Sequence, residues 1–183
     1  MQNIHDECAA CTRCKLCQTR KHVVPGSGSP TAQVVFIGEG PGAQEDAKGL
    51  PFVGASGKFL DEMLGSIGLK RDDVFIANVV KCRPPNNRDP EKEEILACMP
   101  FLQRQIKVIA PKIIVTLGRF SMQLFLPDAK ISQIHGKVQK VGEFVILPLF
   151  HPAAALFNGS MRGVLKDDFL VLGKLLSGEM NLD

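Results

Sequence analysis

The sequence predicts an α/β fold of three layers, αβα, built on a four-stranded, mainly parallel sheet, and two observations carry that reading. Four short, nearly continuous apolar runs rich in β-branched residues recur along the chain, and stretches of helical spacing lie between them. Alternating strands and helices give a parallel sheet covered on both faces, and double coverage is what removes polar alternation from a strand. With 183 residues, 45% hydrophobic and 22% charged, the chain is long enough to bury one core, and residues 1–183 are read as one domain.

Each element has a local reason. The first ten residues read as a helical or frayed lead-in, followed by a cysteine-rich segment and the Pro, Gly and Ser-rich loop PGSGSPTAQ. The first strand is QVVFIG (33–38), and the helix over 57–67 places Phe59, Leu60, Met63, Leu64 and Ile67 on one face, with Gly68 as its stop. The second strand is DVFIANVV (73–80). Asp89-Pro90 then opens a helix with acids in its first turn, where the helix dipole favours them. Pro100 lies inside that pattern and is expected to kink or split the helix just after Cys98. KIIVTLG (112–118) and EFVILPLF (143–150) are the third and fourth strands, with helices over 121–126 and 162–176.

Composition excludes some functions and leaves others open. A formal charge of +3, from 22 Lys plus Arg against 19 Asp plus Glu, is too small to argue for nucleic acid. Its distribution says more, because residues 11–24 carry Arg13, Lys15, Arg20 and Lys21 without an acid, and residues 104–140 hold seven basic residues against the single acid Asp128. Basic stretches distant in sequence can converge into a face that tracks phosphates. The N-terminus lacks a secretory pattern, and the apolar run 144–150 is short and contains a proline. A cytoplasmic chain with no membrane partner is the expectation.

Six cysteines in such a chain point to metal or reactive thiols before disulfides. Cys8, Cys11, Cys14 and Cys17 follow one another at i, i+3, a spacing at which one turn of chain presents two thiolates to one centre. Cys82 and Cys98 supply the second half if the fold brings them to the N-terminus. Thiolate ligands select zinc or an iron-sulfur cluster, and spacing leaves both open.

In sheets of this kind ligands bind beyond the carboxyl ends of the strands. After the first strand comes GEGPGAQED (38–46), a glycine-rich turn that lacks both the GK[ST] of a phosphate-binding P-loop and the GxGxxG of a dinucleotide site. Phe52 stands among Gly49, Pro51, Gly54 and Gly57, off any amphipathic stripe, where a rigid loop can offer a flat ring for stacking. Asn78 interrupts the second strand, and a buried amide must find partners in backbone or ligand. His151 ends the fourth strand in LFHPAAAL, where an imidazole N–H can stabilise developing negative charge. His5, His22 and His135 have no comparable setting and are read as surface residues.

GEGPG, PFVG, NVVKCRPP and HPAAAL in this order, with CTRCKLC before them and a lone cysteine after CRPP, resemble the family 4 uracil-DNA glycosylases over about residues 11–176. The resemblance implies their sheet sandwiched by helices, and hydrolysis of the bond between deoxyribose and uracil in double- or single-stranded DNA by a monomer. It assigns a 4Fe-4S cluster to Cys11, Cys14, Cys82 and Cys98, leaving Cys8 and Cys17 as extra thiols; Cys14 with Cys17 is an alternative pair and zinc an alternative metal. It places Glu39, Gly40 and Pro41 at the pyrimidine pocket, Phe52 as the ring stacked on uracil, Asn78 as the base-reading amide and His151 near uracil O2. Where the best-known members of the superfamily carry an aspartate this chain has Gly40, so Glu39, Glu45 and Asn87 are the candidates for holding the attacking water. Residues 81–90 contain neither the inserted loop nor the histidine of the branch that attaches covalently to DNA. Leu156 or Arg162 is the expected wedge into the duplex. Two rival readings are a non-catalytic DNA-binding module of the same fold and a zinc enzyme acting on a free nucleotide.

Overall fold

The β-branched runs become strands at the positions read from the sequence, and the intervening segments become helices. In chain order the computed structural model, which describes residues 1–180, contains α1 (Gln2–Ala9), β1 (Ser27–Gly28), β2 (Val34–Gly38), α2 (Ala43–Lys48), α3 (Ala55–Ser66) and β3 (Phe75–Asn78). There follow α4 (Lys92–Ile109), β4 (Ile113–Leu117), α5 (Arg119–Gln123), α6 (Ile131–Ile134), β5 (Gln139–Val141), β6 (Phe144–Leu149), α7 (Ala154–Phe157) and α8 (Met161–Ser177). No helix among these residues is long and apolar enough to cross a membrane.

The sheet has six strands in the order β1-β3-β2-β4-β6-β5, two more than expected. The four strands read from the sequence are the parallel centre. β1 and β5 add short antiparallel edges. Their sequences, Ser-Gly and Gln-Lys-Val, carry no apolar run because an edge strand is not covered on both faces.

Alternate residues of each central strand feed two cores. Val35, Ile37, Phe75, Ala77, Ile114 and Ile146 face α1, α4 and the cysteine segment, joining Ile4, Leu16, Phe101, Leu102 and Ile106. Val34, Phe36, Ile76, Val115, Leu147 and Leu149 face α3 and α8, joining Phe59, Leu60, Met63, Leu165, Phe169 and Leu172. Across this second face the rings of Phe36 and Phe169 stack at 6.0 Å.

Pro100 neither breaks nor splits its helix, because α4 runs unbroken from Lys92 to Ile109. A proline in a helix forfeits the bond to the carbonyl four residues back. That residue is Leu96, 60% exposed, so water replaces the missing donor. The start of α4 is fixed by Glu94, which accepts the backbone N–H of Glu91 at 2.8 Å and the guanidinium of Arg88 at 2.7 and 2.9 Å.

Parallel register sets the working edge. Gly38 pairs with Asn78 and Leu117 with Leu149, so the segments following β2, β3 and β6 emerge side by side.

Candidate active site and cysteine cavity

Those segments enclose a cavity of about 540 Å³ lined by Glu39, Gly40, Pro41, Phe52, Asn78, Asn87 and His151. Every residue singled out for base binding therefore lines one space. Its volume lies within the range of small-ligand pockets.

Phe52 is buried and sits in the left-handed region at φ 52, a strained state for a bulky residue that its surroundings must enforce. Arg71 does so by donating to the carbonyls of Pro51 and Phe52 at 2.8 and 2.6 Å. From the other side Glu45 Oε1 accepts the N–H groups of Val53 and Gly54, each at 2.8 Å. Gly57 completes the clamp, since any side chain there would overlap the Phe52 carbonyl. The Phe52 ring then faces the imidazole of His151 at 5.6 Å between centroids.

Asn78 closes β3, 2% exposed, and its Oδ1 is buried without a hydrogen-bond partner. A native protein rarely leaves such an atom unpaired unless a ligand or water completes it. It aims at the same space as Phe52, because a Cβ on Gly38 would collide with Asn78 Oδ1 and stand 2.7 Å from the Phe52 ring.

His151 accepts the N–H of Ala153 on Nδ1 at 3.1 Å. An N–H donates only to an unprotonated nitrogen, so the neutral ring carries its proton on Nε2. Burial pulls its pKa down to about 4, against a smaller upward pull from Glu45. At neutral pH this histidine is an uncharged hydrogen-bond donor.

Three candidates for holding water separate here. Glu45 lines the cavity but its Oε1 fastens the Phe52 loop. Asn87, at φ 53, accepts Arg83 Nε on its Oδ1 at 2.8 Å. Glu39 forms no side-chain hydrogen bond among the described residues, and burial, then Asp89, pushes its carboxyl upward, with Arg119 opposing. It is the carboxylate free to face a ligand.

Below the sheet edge all six cysteines line a second, small cavity with Arg20, Lys81 and Phe101. The fold thus brings Cys82 and Cys98 to the N-terminal segment as the spacing required. Cys98 Sγ accepts the N–H of Lys81 at 3.2 Å, and Cys82 Sγ accepts Arg20 Nη1 at 3.3 Å. Burial pushes Cys8 up to about 12 and Cys82 to about 11, so a metal bound at Cys82 is what would hold that sulfur as a thiolate. No three His, Cys, Asp or Glu side chains among the described residues converge closely enough for one metal ion. The donors surround a cavity.

A family model described as the uracil DNA glycosylase superfamily matches residues 25–171. The chain belongs to that superfamily. It is 49% identical to the type-4 uracil-DNA glycosylase of Sulfurisphaera tokodaii over 185 residues, 96% of this chain and 84% of the relative. It is 47% identical to the type-4 enzyme of Archaeoglobus fulgidus over 184 residues, 96% and 92% of the two chains. A DNA polymerase of Bacillus phage SP01 is 30% identical over 155 residues, 84% of this chain and 17% of the polymerase.

Within this type-4 uracil-DNA glycosylase framework the sequence reading missed several residues. Arg71 gave no signal, lying nineteen positions from the Phe52 carbonyl it holds. Phe157, 91% exposed at the cavity mouth, could have been noticed as an aromatic beside Asn158-Gly159. Of the two wedge candidates, Arg162 pairs with Glu62 at 2.9 Å and covers the Phe59 ring, and Leu156 is 44% exposed. Of the three histidines read as surface residues, His22 and His135 are hydrogen-bonded, His22 through Nδ1 to the Asp46 carbonyl at 2.9 Å, and the third is partly buried. His135 bonds Asp168 at 2.8 Å and packs on Phe150 at 4.5 Å, and His5 has a buried Nε2.

Proposed function

We propose that this chain hydrolyses the N-glycosidic bond of uracil in DNA, releasing the base and leaving an abasic site. The observation that carries this reading is the unpartnered Asn78 amide oxygen, buried beside the Phe52 ring in a cavity that His151 also lines. The target bond is hidden in a duplex, so the nucleotide swings out and its base enters the cavity. Phe52 stacks on the ring. Asn78 accepts from N3–H and donates to O4; cytosine offers neither in that pattern and would leave buried groups unpaired.

Bond rupture leaves the electron pair on N1, giving a uracil anion and an oxocarbenium-like sugar. His151 stabilises the charge at O2 through Nε2–H without having to lose a proton, helped by the peptide groups of residues 38–42. Water then adds to the sugar carbon and gives up a proton, and Glu39 orients it and accepts that proton. Phe157 fills the gap left in the duplex.

The cysteine cavity supports a 4Fe-4S cluster on Cys11, Cys14, Cys82 and Cys98. Sulfurs spread around a cavity suit a multi-iron cluster better than a single zinc, and backbone and guanidinium N–H groups already point at two of them. Bound there, a cluster would act as a cross-link between residues 8–20 and the core. A cytoplasmic monomer acting on single- or double-stranded DNA completes the reading.

The deciding experiment treats a uracil-containing oligonucleotide with purified protein and scores alkali-labile sites and free uracil. Strand breaks at the uracil position are expected. DNA binding without released base would establish the non-catalytic module instead, and activity on free nucleotides alone would establish the nucleotide enzyme.

A further inference from the structure

Lys81 is 1% exposed, the most deeply buried cation in the chain. Its Nζ donates to the carbonyl of Asn78 at 2.8 Å and to Gln105 Oε1 at 2.7 Å. Both acceptors are neutral, and Lys81 joins none of the ion pairs formed among the described residues. Taking an ammonium out of water costs several kcal/mol, about as much as a folded domain can spare, unless an anion faces it. The side chain lines the cysteine cavity, and its backbone N–H donates to Cys98 Sγ at 3.2 Å.

Four thiolates around a 4Fe-4S core carry a net negative charge, and this is the anion the buried ammonium lacks. We infer that Lys81 is a positioning residue that serves as the internal counter-ion of the cluster and, through the Asn78 carbonyl, holds the base-reading amide in place. The cluster cavity and the pocket are then joined by one side chain, which lines the first and bonds the carbonyl at the end of β3. Gln105 keeps the arrangement rigid, because its Nε2 donates to the carbonyl of Pro25 at 2.7 Å. The inference rests on the cluster proposed above.

The test compares wild-type holoprotein with Lys81→Met, Lys81→Gln and Lys81→Arg, reading the midpoint potential of the visible band and kcat/KM for uracil release. Removing a positive charge beside the cluster makes it harder to reduce, so K81M and K81Q shift the potential to more negative values while K81R restores it. K81M also lowers kcat/KM about tenfold, the effect of one weakened hydrogen bond of about 1.4 kcal/mol. K81Q keeps a donor for the Asn78 carbonyl, loses less activity than K81M, and serves for the potential measurement should K81M fail to fold. Wild-type potential in both neutral variants overturns the inference. A wild-type protein without the visible band withdraws the cluster reading itself, a separate and earlier result.

Discussion

Gly38 stands opposite Asn78 in the parallel register of β2 and β3, and a single methyl group on Gly38 would collide with the Asn78 amide oxygen. The glycine is there for neither a turn nor a positive φ. It leaves the space in which amide, aromatic ring and backbone meet. Gly38→Ala is therefore predicted to displace Asn78 and Phe52 and to lower kcat/KM for uracil release about 100-fold, the cost of misplacing a reacting geometry by an ångström. Unchanged kinetics in the alanine variant would show that the amide does not read the base.

Asn78→Leu separates function from stability. The amide oxygen is buried and unpaired, so replacing it with an apolar group of similar size leaves the melting temperature unchanged or raises it. Uracil release is expected to fall by about 100-fold or more as the pocket loses its match to N3–H and O4. A thermal melt beside the oligonucleotide assay reads both; a large loss of stability would mean the amide serves the fold.

His151 makes a prediction about pH with a definite sign. Burial lowers its pKa in the folded protein to about 4, whereas the unfolded chain titrates near 6.5. The unfolded state therefore binds the proton first, and this residue's contribution to stability falls as pH drops from about 6.5 to about 4, then levels off. Titration of His151 should leave the rate unchanged between pH 6 and 8, with loss setting in only near pH 4. His151→Ala is expected to slow uracil release about 100- to 1000-fold, the usual effect of removing one oxyanion donor. NMR titration of the imidazole checks the first statement, and a resonance titrating near 6.5 would contradict it.

Phe157→Ala should behave differently on two substrates. The side chain is 91% exposed, so its loss leaves stability within about 0.5 kcal/mol. Uracil in a duplex would be released more slowly, while uracil in a single strand, which leaves no helical gap to fill, would be spared. Equal losses on both substrates would assign Phe157 to the pocket instead.

The cysteine variants test the ligand set. Serine at Cys11, Cys14, Cys82 or Cys98 should abolish the brown colour and broad visible absorption, which in a chain without Trp or Tyr stands clear of protein absorption. Serine at Cys8 or Cys17 should leave it. Loss with Cys17→Ser and survival with Cys11→Ser would select the alternative pair.

The sequence by itself determined the parallel centre of the sheet and both covering layers, because a strand buried on two faces must be apolar throughout and a covering helix must be apolar on one. It also marked the pocket residues and the six thiols, since glycine-rich turns, strand-end polar residues and i, i+3 cysteines are visible as spacing. Tertiary structure alone decided what holds them. Arg71 beneath the Phe52 loop, Glu45 tied to Val53 and Gly54, Ala153 fixing the His151 tautomer and Lys81 between the thiols and Asn78 act across a turn or between distant segments. Such bonds leave no periodic trace, for a donor and acceptor need only meet in space. The same reason hid the edge strands and the intact helix through Pro100, where pairing and solvent exposure outweighed local propensity.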